Sequence, residues 1–166
     1  MTNLSVSSEQ CAAARGLLNL SQADLAKAAH ITESMVARFE RDGKVPTYNN
    51  LQAICSVLEA WGIVLVPANR GGAGVRFSVP PERQGPTTEP SVFRSLCRAA
   101  RNIVGLSQEE TAEAAGLGRS TVADFERGAR VPSPANLKAL RETLEGAGVV
   151  FIEADGSAGP GVRLRR

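Results

Sequence analysis

The sequence has few of the residues on which metal binding and catalysis commonly depend. It contains one histidine, His30, and its three cysteines, Cys11, Cys55 and Cys97, show neither Cys-x-x-Cys nor zinc-site spacing. Walker-loop, Gly-x-Gly-x-x-Gly and nucleophile-elbow patterns are also absent. We therefore expect a protein that is not an enzyme and holds no metal or cofactor, with the cysteines serving as small core hydrophobes.

Long apolar segments and a strong net charge are lacking too. No apolar run approaches the ~20 residues that span a bilayer, and residues 1–10 lack the apolar segment of a signal peptide. We expect a cytoplasmic protein without a membrane segment. The net charge of +2 is only mildly basic, so the positions of the charges, rather than their sum, must indicate a nucleic-acid partner.

What the sequence does contain is an internal repeat. Residues 11–62 match residues 97–148 at close to half of the positions without a gap, and residues 74–77 then match 161–164. Between the copies, four prolines and a glycine within residues 78–90 predict a semi-stiff, extended tether. The chain thus divides into a first module, a linker and a second module, covering residues 1–79, 80–90 and 91–166.

Each module has the same predicted helices. The first covers about residues 8–18 and, in the second copy, 91–104. Ser21 and Ser107 are expected N-caps of a second helix, with Asp24 and Glu110 at capping-box spacing. That helix ends near Ala29 and Ala115, where His30 and Gly116 are the turn residues. A third helix covers 33–41 and 119–127, with inward apolar residues at Val36, Phe39, Val122 and Phe125.

A fourth helix and a β-hairpin complete each module. Val-Pro at 45–46 and 131–132 stops the third helix, and Thr47 and Ser133 cap the fourth. Its apolar stripe comprises Leu51, Ile54, Leu58 and Trp61, or Leu137, Leu140 and Leu144. Residues 63–66 and 149–152 are predicted as buried strands that return over 75–77 and 162–164. A lone hairpin is barely stable, so each needs the other hairpin or another chain.

The second and third helices form a helix-turn-helix, whose third helix can enter the major groove of DNA. Both copies contain Leu-Ser-Gln-x-x-x-Ala-x-x-Ala, then Ser-x-Val-x-x-Phe-Glu-Arg, then Val-Pro. This combined pattern resembles the lambda-repressor-like, Cro/XRE-type DNA-binding domain. The resemblance implies a mainly α fold, with two such modules in tandem, each followed by a short β-hairpin, and a double-stranded DNA partner.

The resemblance also implies a set of DNA contacts. Gln22 and Gln108 would contact phosphate and an adjacent base. Basic residues and asparagines would contact the DNA backbone at Arg15, Arg41, Lys44, Asn50, Arg101, Arg127, Arg130 and Asn136. The outward faces of the third helices would meet the bases through Glu33, Ser34, Ala37 and Arg38 in the first copy, and Arg119, Ser120, Ala123 and Asp124 in the second.

Several of these residues have a second interpretation. Arg15 and Arg101 could instead lie on a solvated helix face, and Arg163, Arg165 and Arg166 form either a solvated tail or a phosphate contact. Glu40 and Glu126, beside Arg41 and Arg127, are expected to form structural ion pairs. Glu33 and Asp124 place a carboxylate on each reading face, which can accept a hydrogen bond from cytosine but otherwise repels phosphate.

Two functional hypotheses follow. The first is a sequence-specific, double-stranded DNA-binding regulator, a bacterial repressor, whose two modules act as a covalent pseudo-dimer with a shared sheet. Its modules would read two different half-sites or one unsymmetric site, unless one module has lost DNA binding and serves pairing. The second hypothesis is a protein-interaction module, such as an anti-activator, on the same fold. The edges of the hairpins also leave open a homodimer of tandem chains.

Overall fold

The computed structural model describes residues 5–68, 71–78 and 86–166. The first module contains four helices and two strands, α1 (Ser8–Leu18), α2 (Gln22–Ala29), α3 (Glu33–Asp42), α4 (Tyr48–Ala60), β1 (Ile63–Val66) and β2 (Gly74–Phe77). The second repeats them as α5 (Pro90–Ile103), α6 (Gln108–Ala115), α7 (Arg119–Glu126), α8 (Pro134–Gly146), β3 (Val149–Ile152) and β4 (Gly161–Leu164). The predicted order of elements is confirmed throughout.

Local capping interactions fix where the helices begin and end. Ser21 and Ser107 accept a hydrogen bond from the backbone of Asp24 and Glu110, whose carboxylates accept one in return. Both predicted capping boxes are therefore confirmed. His30 adopts the left-handed conformation at the end of α2, with φ 55°, as Gly116 does after α6. Proteins tolerate this conformation in a histidine more rarely than in glycine.

The core of each module lies where the apolar stripes predict it, with two exceptions. Phe39 and Phe125 are buried at the centre, together with Ile54, Leu58, Leu140 and Leu144. Trp61 is not part of the stripe, because α4 ends at Ala60 and the Trp61 side chain is 40% exposed. The prediction that β1 and β3 are buried strands is wrong for most of their residues, since only Ile63 of β1 and Val149 of β3 are buried.

The two hairpins join into one four-stranded antiparallel sheet in the order β1-β2-β4-β3. At its centre β2 pairs with β4, and Val75 lies opposite Val162, which is its own repeat equivalent. The pseudo-two-fold axis of the repeat therefore passes between these two buried valines. Each hairpin was expected to pair either with the other hairpin or with another chain, and the structure shows the two hairpins paired with each other.

The two modules also pack through α1 and α5. The Gly16 position lies so close to α5 that a Cβ atom there would be 2.8 Å from the backbone nitrogen of Ala99. Nearby, Asn102 Nδ2 donates to the Ala12 carbonyl at 2.8 Å, and Arg98 Nε donates to the Gly16 carbonyl at 2.9 Å. Sheet pairing and helix packing thus hold the modules together at two places.

The end of the predicted linker is fixed on the second module, whereas residues 79–85 lie outside the described residues. The Thr87 hydroxyl is buried and donates to the Glu153 carboxylate. Arg141 Nη2 donates to the Thr87 carbonyl at 2.7 Å, and its guanidinium lies over Phe93 and Phe151. Pro90 then occupies the first turn of α5, where its missing N–H costs no hydrogen bond.

Among the described residues, the helices are too short or too polar to cross a membrane.

Candidate nucleic-acid interface

In each module the third helix, α3 or α7, which we call the reading helix, presents a polar face to solvent. Glu33, Ser34 and Arg38 are exposed on α3, with Ala37 half-buried beside them. On α7, Arg119 and Ser120 are exposed, whereas Ala123 and Asp124 are half-buried. The opposite side of each helix is anchored by Val36 and Phe39, or by Val122 and Phe125. The residues predicted to meet bases therefore share one face in each module.

A buried ion pair supports the reading helix from behind. Arg15 Nε and Nη2 each donate to the Glu40 carboxylate at 2.6 Å, and Nη1 donates to the Leu20 carbonyl at 2.9 Å. The side chains of Arg15 and Glu40 are only 15% and 6% exposed. These bonds occupy three of the five guanidinium N–H groups. The pair joins α1 to α3 and to the turn before α2.

The second module repeats this arrangement. Arg101 donates to the Glu126 carboxylate at 2.6 and 2.9 Å and to the Leu106 carbonyl at 2.8 Å. Arg15 and Arg101 therefore do not lie on a solvated helix face, as one interpretation of the sequence held. Glu40 and Glu126 form structural ion pairs as expected, but with these arginines rather than with Arg41 and Arg127. The sequence feature that could have indicated this pair is that the arginine and the glutamate both occur at equivalent positions in the two copies.

The glutamines that open α2 and α6 are oriented by the same carboxylates. Gln22 Nε2 donates to Glu40 and Gln108 Nε2 donates to Glu126, both at 2.8 Å. Each amide nitrogen keeps a second N–H group, and each glutamine lies at a helix N-terminus, where partial positive charge favours an anion. Ion pair, glutamine and reading helix thus form one connected unit in each module.

The remaining predicted cations differ in their surroundings. Arg41 pairs with Asp42 at 2.8 Å, and Arg127 pairs with Asp124 at 2.7 Å. The hydrogen bond from Arg41 holds the pKa of Asp42 below its ordinary value. Lys44 and Arg130 are exposed in the loops that follow the reading helices. Asn50 lies half-buried with its amide 3.9 Å from Met35 Sδ, and Asn136 is half-buried at the matching place on α8.

The cysteines take no part in this surface. Cys11, Cys55 and Cys97 are buried and free of disulfides, which confirms their prediction as core residues. Burial raises the pKa of the Cys97 thiol to about 12 and raises that of Cys11 further, where Glu40 adds to the effect. A thiol with so high a pKa is inert near neutral pH. Among the described residues no acidic, histidine and cysteine side chains cluster as metal ligands do.

Comparison with known families identifies this arrangement. A helix-turn-helix family model of the Cro/XRE type matches the chain twice, over residues 12–59 and 98–146, which is more than half of its length. The chain belongs to the Cro/XRE-type helix-turn-helix family. This family consists of DNA-binding regulators. Curated proteins yielded no significant match to the chain.

The two helix-turn-helix modules are not equivalent at the start of the reading helix. Thr32 caps α3 by accepting a hydrogen bond from the Met35 backbone, whereas Gly118 leaves α7 without a side-chain cap. Since α3 runs to Asp42 and α7 stops at Glu126, α7 is the shorter by two residues. The reading helices of this helix-turn-helix protein thus differ in length as well as in outward residues.

Large apolar residues in the segments after the reading helices are exposed, which was not predicted from the sequence. Val45 and Val131 are 67% and 56% exposed, and Tyr48 is 70% exposed. The two valines are repeat equivalents and lie in the loops that follow the reading helices of their modules. From the sequence, Val-Pro was expected to stop the third helix. In the structure, Gly43 caps the end of α3 before Val45. In each loop the exposed valine directly follows an exposed cation, Lys44 or Arg130.

Proposed function

We propose that this protein is a sequence-specific, double-stranded DNA-binding repressor whose two modules read two dissimilar half-sites. The observation that carries the proposal is the pairing of β2 with β4 across Val75 and Val162. This pairing relates two helix-turn-helix units by a pseudo-two-fold axis within one chain, as a symmetric dimer does with two chains. Such dimers bind half-sites about one DNA turn, or ~34 Å, apart.

The outward residues of the reading helices support different half-sites. The first module offers Glu33 and Arg38, and the second offers Arg119 and Asp124. An arginine pairs best with guanine and a carboxylate accepts from cytosine, so the order of these bases should differ between the half-sites. Phosphate contacts would come from the glutamines and cations near the reading helices, namely Gln22, Lys44, Arg41, Gln108, Arg130 and Arg127. Arg15 and Arg101 would add the N–H groups that their ion pairs leave unused.

Selection of binding sites from a random duplex pool, followed by a salt titration of the selected site, tests this proposal. Two dissimilar half-sites about one turn apart, bound with an affinity that falls steeply as salt rises, are expected. Recovery of a single half-site would mean that one module has lost DNA binding. The stoichiometry of the complex separates one chain per site from a homodimer joined through the outer edges of β1 and β3.

A protein-interaction role, such as that of an anti-activator, is the second candidate. The Asp124 carboxylate accepts from both Nε and Nη2 of Arg127, at 3.1 and 2.7 Å, on the face where DNA would bind. This pair removes a free cation from the second module and places a carboxylate near phosphate. If no duplex is enriched at moderate salt, the repressor proposal fails and this alternative takes its place.

A further inference from the structure

One arginine of α5, Arg98, hydrogen-bonds both to the first module and to the end of α7. Arg98 Nε donates to the carbonyl of Gly16 at 2.9 Å, and its Nη1 donates to the carbonyl of Glu126 at 2.5 Å. Gly16 lies near the C-terminal end of α1, in the first module, and Glu126 is the last residue of α7. One side chain therefore joins the first module to the reading helix of the second.

The surroundings hold this guanidinium in place. Arg98 Nη2 also donates to Ser95 Oγ at 3.3 Å, so all three nitrogens have a partner. The two carbonyls lie at helix C-termini, where the partial negative charge of the helix favours a cation. Burial lowers the pKa of Arg98 from its usual value, while the Glu126 carboxylate opposes that shift. The guanidinium stays charged, because an arginine retains its proton even when it is buried.

The repeat shows that this contact belongs to the second module alone. The positions equivalent to Arg98 and Asn102 are Ala12 and Gly16, and these are the residues whose carbonyls accept the hydrogen bonds. In the contact between α1 and α5, both side-chain donors therefore come from the second module and both acceptors from the first. Alanine and glycine have no polar side chain, so Ala12 and Gly16 cannot make the side-chain hydrogen bonds that Arg98 and Asn102 make.

We propose that Arg98 is a positioning residue, which fixes the reading helix of the second module relative to the first module and so sets the spacing between half-sites that the protein accepts. One added base pair moves a half-site by roughly 3.4 Å and rotates it by about 35°. A reading helix tied to the other module cannot follow that movement. This inference rests on the proposed function, because spacing has meaning only if both modules bind DNA.

A series of duplexes with the two selected half-sites separated by different spacers tests the inference. The wild type is expected to prefer one spacer over its neighbours, and Arg98→Ala to reduce that preference by about tenfold, the effect of a lost charged hydrogen bond. The affinity of Arg98→Ala for the isolated half-site of the first module should equal that of the wild type. This combination separates a loss of positioning from a general loss of binding.

Two other variants are matched controls. Arg94 Nε donates to the Phe125 carbonyl at 2.9 Å and so holds the end of α7 within the second module alone. Asn102 also crosses between the modules, but its side-chain hydrogen bond goes to the Ala12 carbonyl and not to α7. Arg94→Ala and Asn102→Ala are both expected to keep the spacer preference of the wild type. Equal relaxation in all three variants, or none in Arg98→Ala, would overturn the inference.

A distance measurement keeps the inference testable if no DNA site is found. Nitroxide labels on Ser34→Cys and Ser120→Cys report the distance between the reading helices, since the native cysteines are buried. Arg98→Ala should broaden the distance distribution and Arg94→Ala should not. Should Arg98→Ala fail to fold, Arg98→Lys should broaden it less, because an ammonium cannot reproduce the fork that reaches both carbonyls. An unchanged distance distribution in a folded Arg98 variant would refute the positioning role of Arg98. A wild type that binds no DNA would refute only the proposed function.

Discussion

At the scale of single residues, the exposed arginines of the reading helices should decide which bases are preferred. Arg38→Ala and Arg119→Ala should each weaken binding of the selected site by about 1–3 kcal/mol and relax base preference in their own half-site only. Titration of the site and of variants with one base pair changed provides the measurement. Lys138→Ala is the matched control, because Lys138 is exposed on α8 and does not belong to a reading helix. Unchanged binding in both arginine variants would show that the reading face is assigned incorrectly.

The buried pair behind the reading helix should contribute to stability rather than to base preference. Glu40→Ala leaves the Arg15 guanidinium buried without its carboxylate and should reduce the free energy of unfolding by about 3–5 kcal/mol. The double variant Arg15→Met/Glu40→Leu should recover most of that loss, because it leaves no unpaired charge. Chemical denaturation of the whole chain measures both. A double variant as unstable as Glu40→Ala would mean that packing, and not the unpaired charge, causes the loss.

At the scale of elements, the caps make a prediction that both modules should obey alike. Ser21→Ala and Ser107→Ala each remove a side-chain oxygen that accepts from the backbone of α2 or α6. Each substitution should cost about 1 kcal/mol of stability, measured by thermal unfolding. Ser91→Ala is a suitable control, because Ser91 is an exposed residue inside the first turn of α5, after its cap.

The carboxylates of these caps give the stability a dependence on pH. Hydrogen bonds from Ser21 and Ser107 hold the pKa of Asp24 and Glu110 below their ordinary values. A carboxyl group of this kind stabilises the fold above its unfolded pKa and loses that contribution as pH falls through the lower, folded value. A pH titration of the Asp24 and Glu110 side-chain carboxyl signals by NMR should show both pKa values below their ordinary values. Ordinary values would mean that the capping boxes do not persist in solution.

The elements were predictable where local signals define them and less so where distant residues do. Serine caps, the left-handed turn residue and the short β-branched runs placed the helices and strands within about two residues of their observed bounds. Trp61 was assigned to the core because it continues the stripe of α4, but the helix ends before it and the chain turns. The partner of Glu40 was also missed, since Arg15 lies 25 residues away and only the tertiary fold brings them together.

At the scale of the whole molecule, the repeat predicted two modules and a shared sheet but not how unequally the modules contribute to the contact between α1 and α5. Only the second module supplies side-chain donors across α1 and α5, and only the first has glycine at the point of closest approach. Asn102 is the repeat equivalent of Gly16, so two second modules packed together would have an asparagine side chain at the point where the helices approach most closely. Two first modules packed together would lack the hydrogen bonds that Arg98 and Asn102 donate. The interface is therefore built for one module of each kind.

The close approach at Gly16 makes this arrangement testable in the intact chain. Gly16→Ala places a methyl group 2.8 Å from backbone atoms of Arg98 and Ala99, which cannot move aside as a flexible side chain can. We expect it to destabilise the protein by about 1–3 kcal/mol, since overpacking forces backbone shifts.

Gly146→Ala is the matched control for this last substitution. Gly146 is the last residue of α8, and a Cβ atom there would meet nothing within 4 Å. Alanine should therefore stabilise α8 slightly, by at most about 0.5 kcal/mol through helix propensity, and the difference between the two variants isolates the contact between the modules. Equal gains in thermal stability at both positions would show that α1 and α5 do not approach this closely, and the fixed spacing between the reading helices would lose its structural basis.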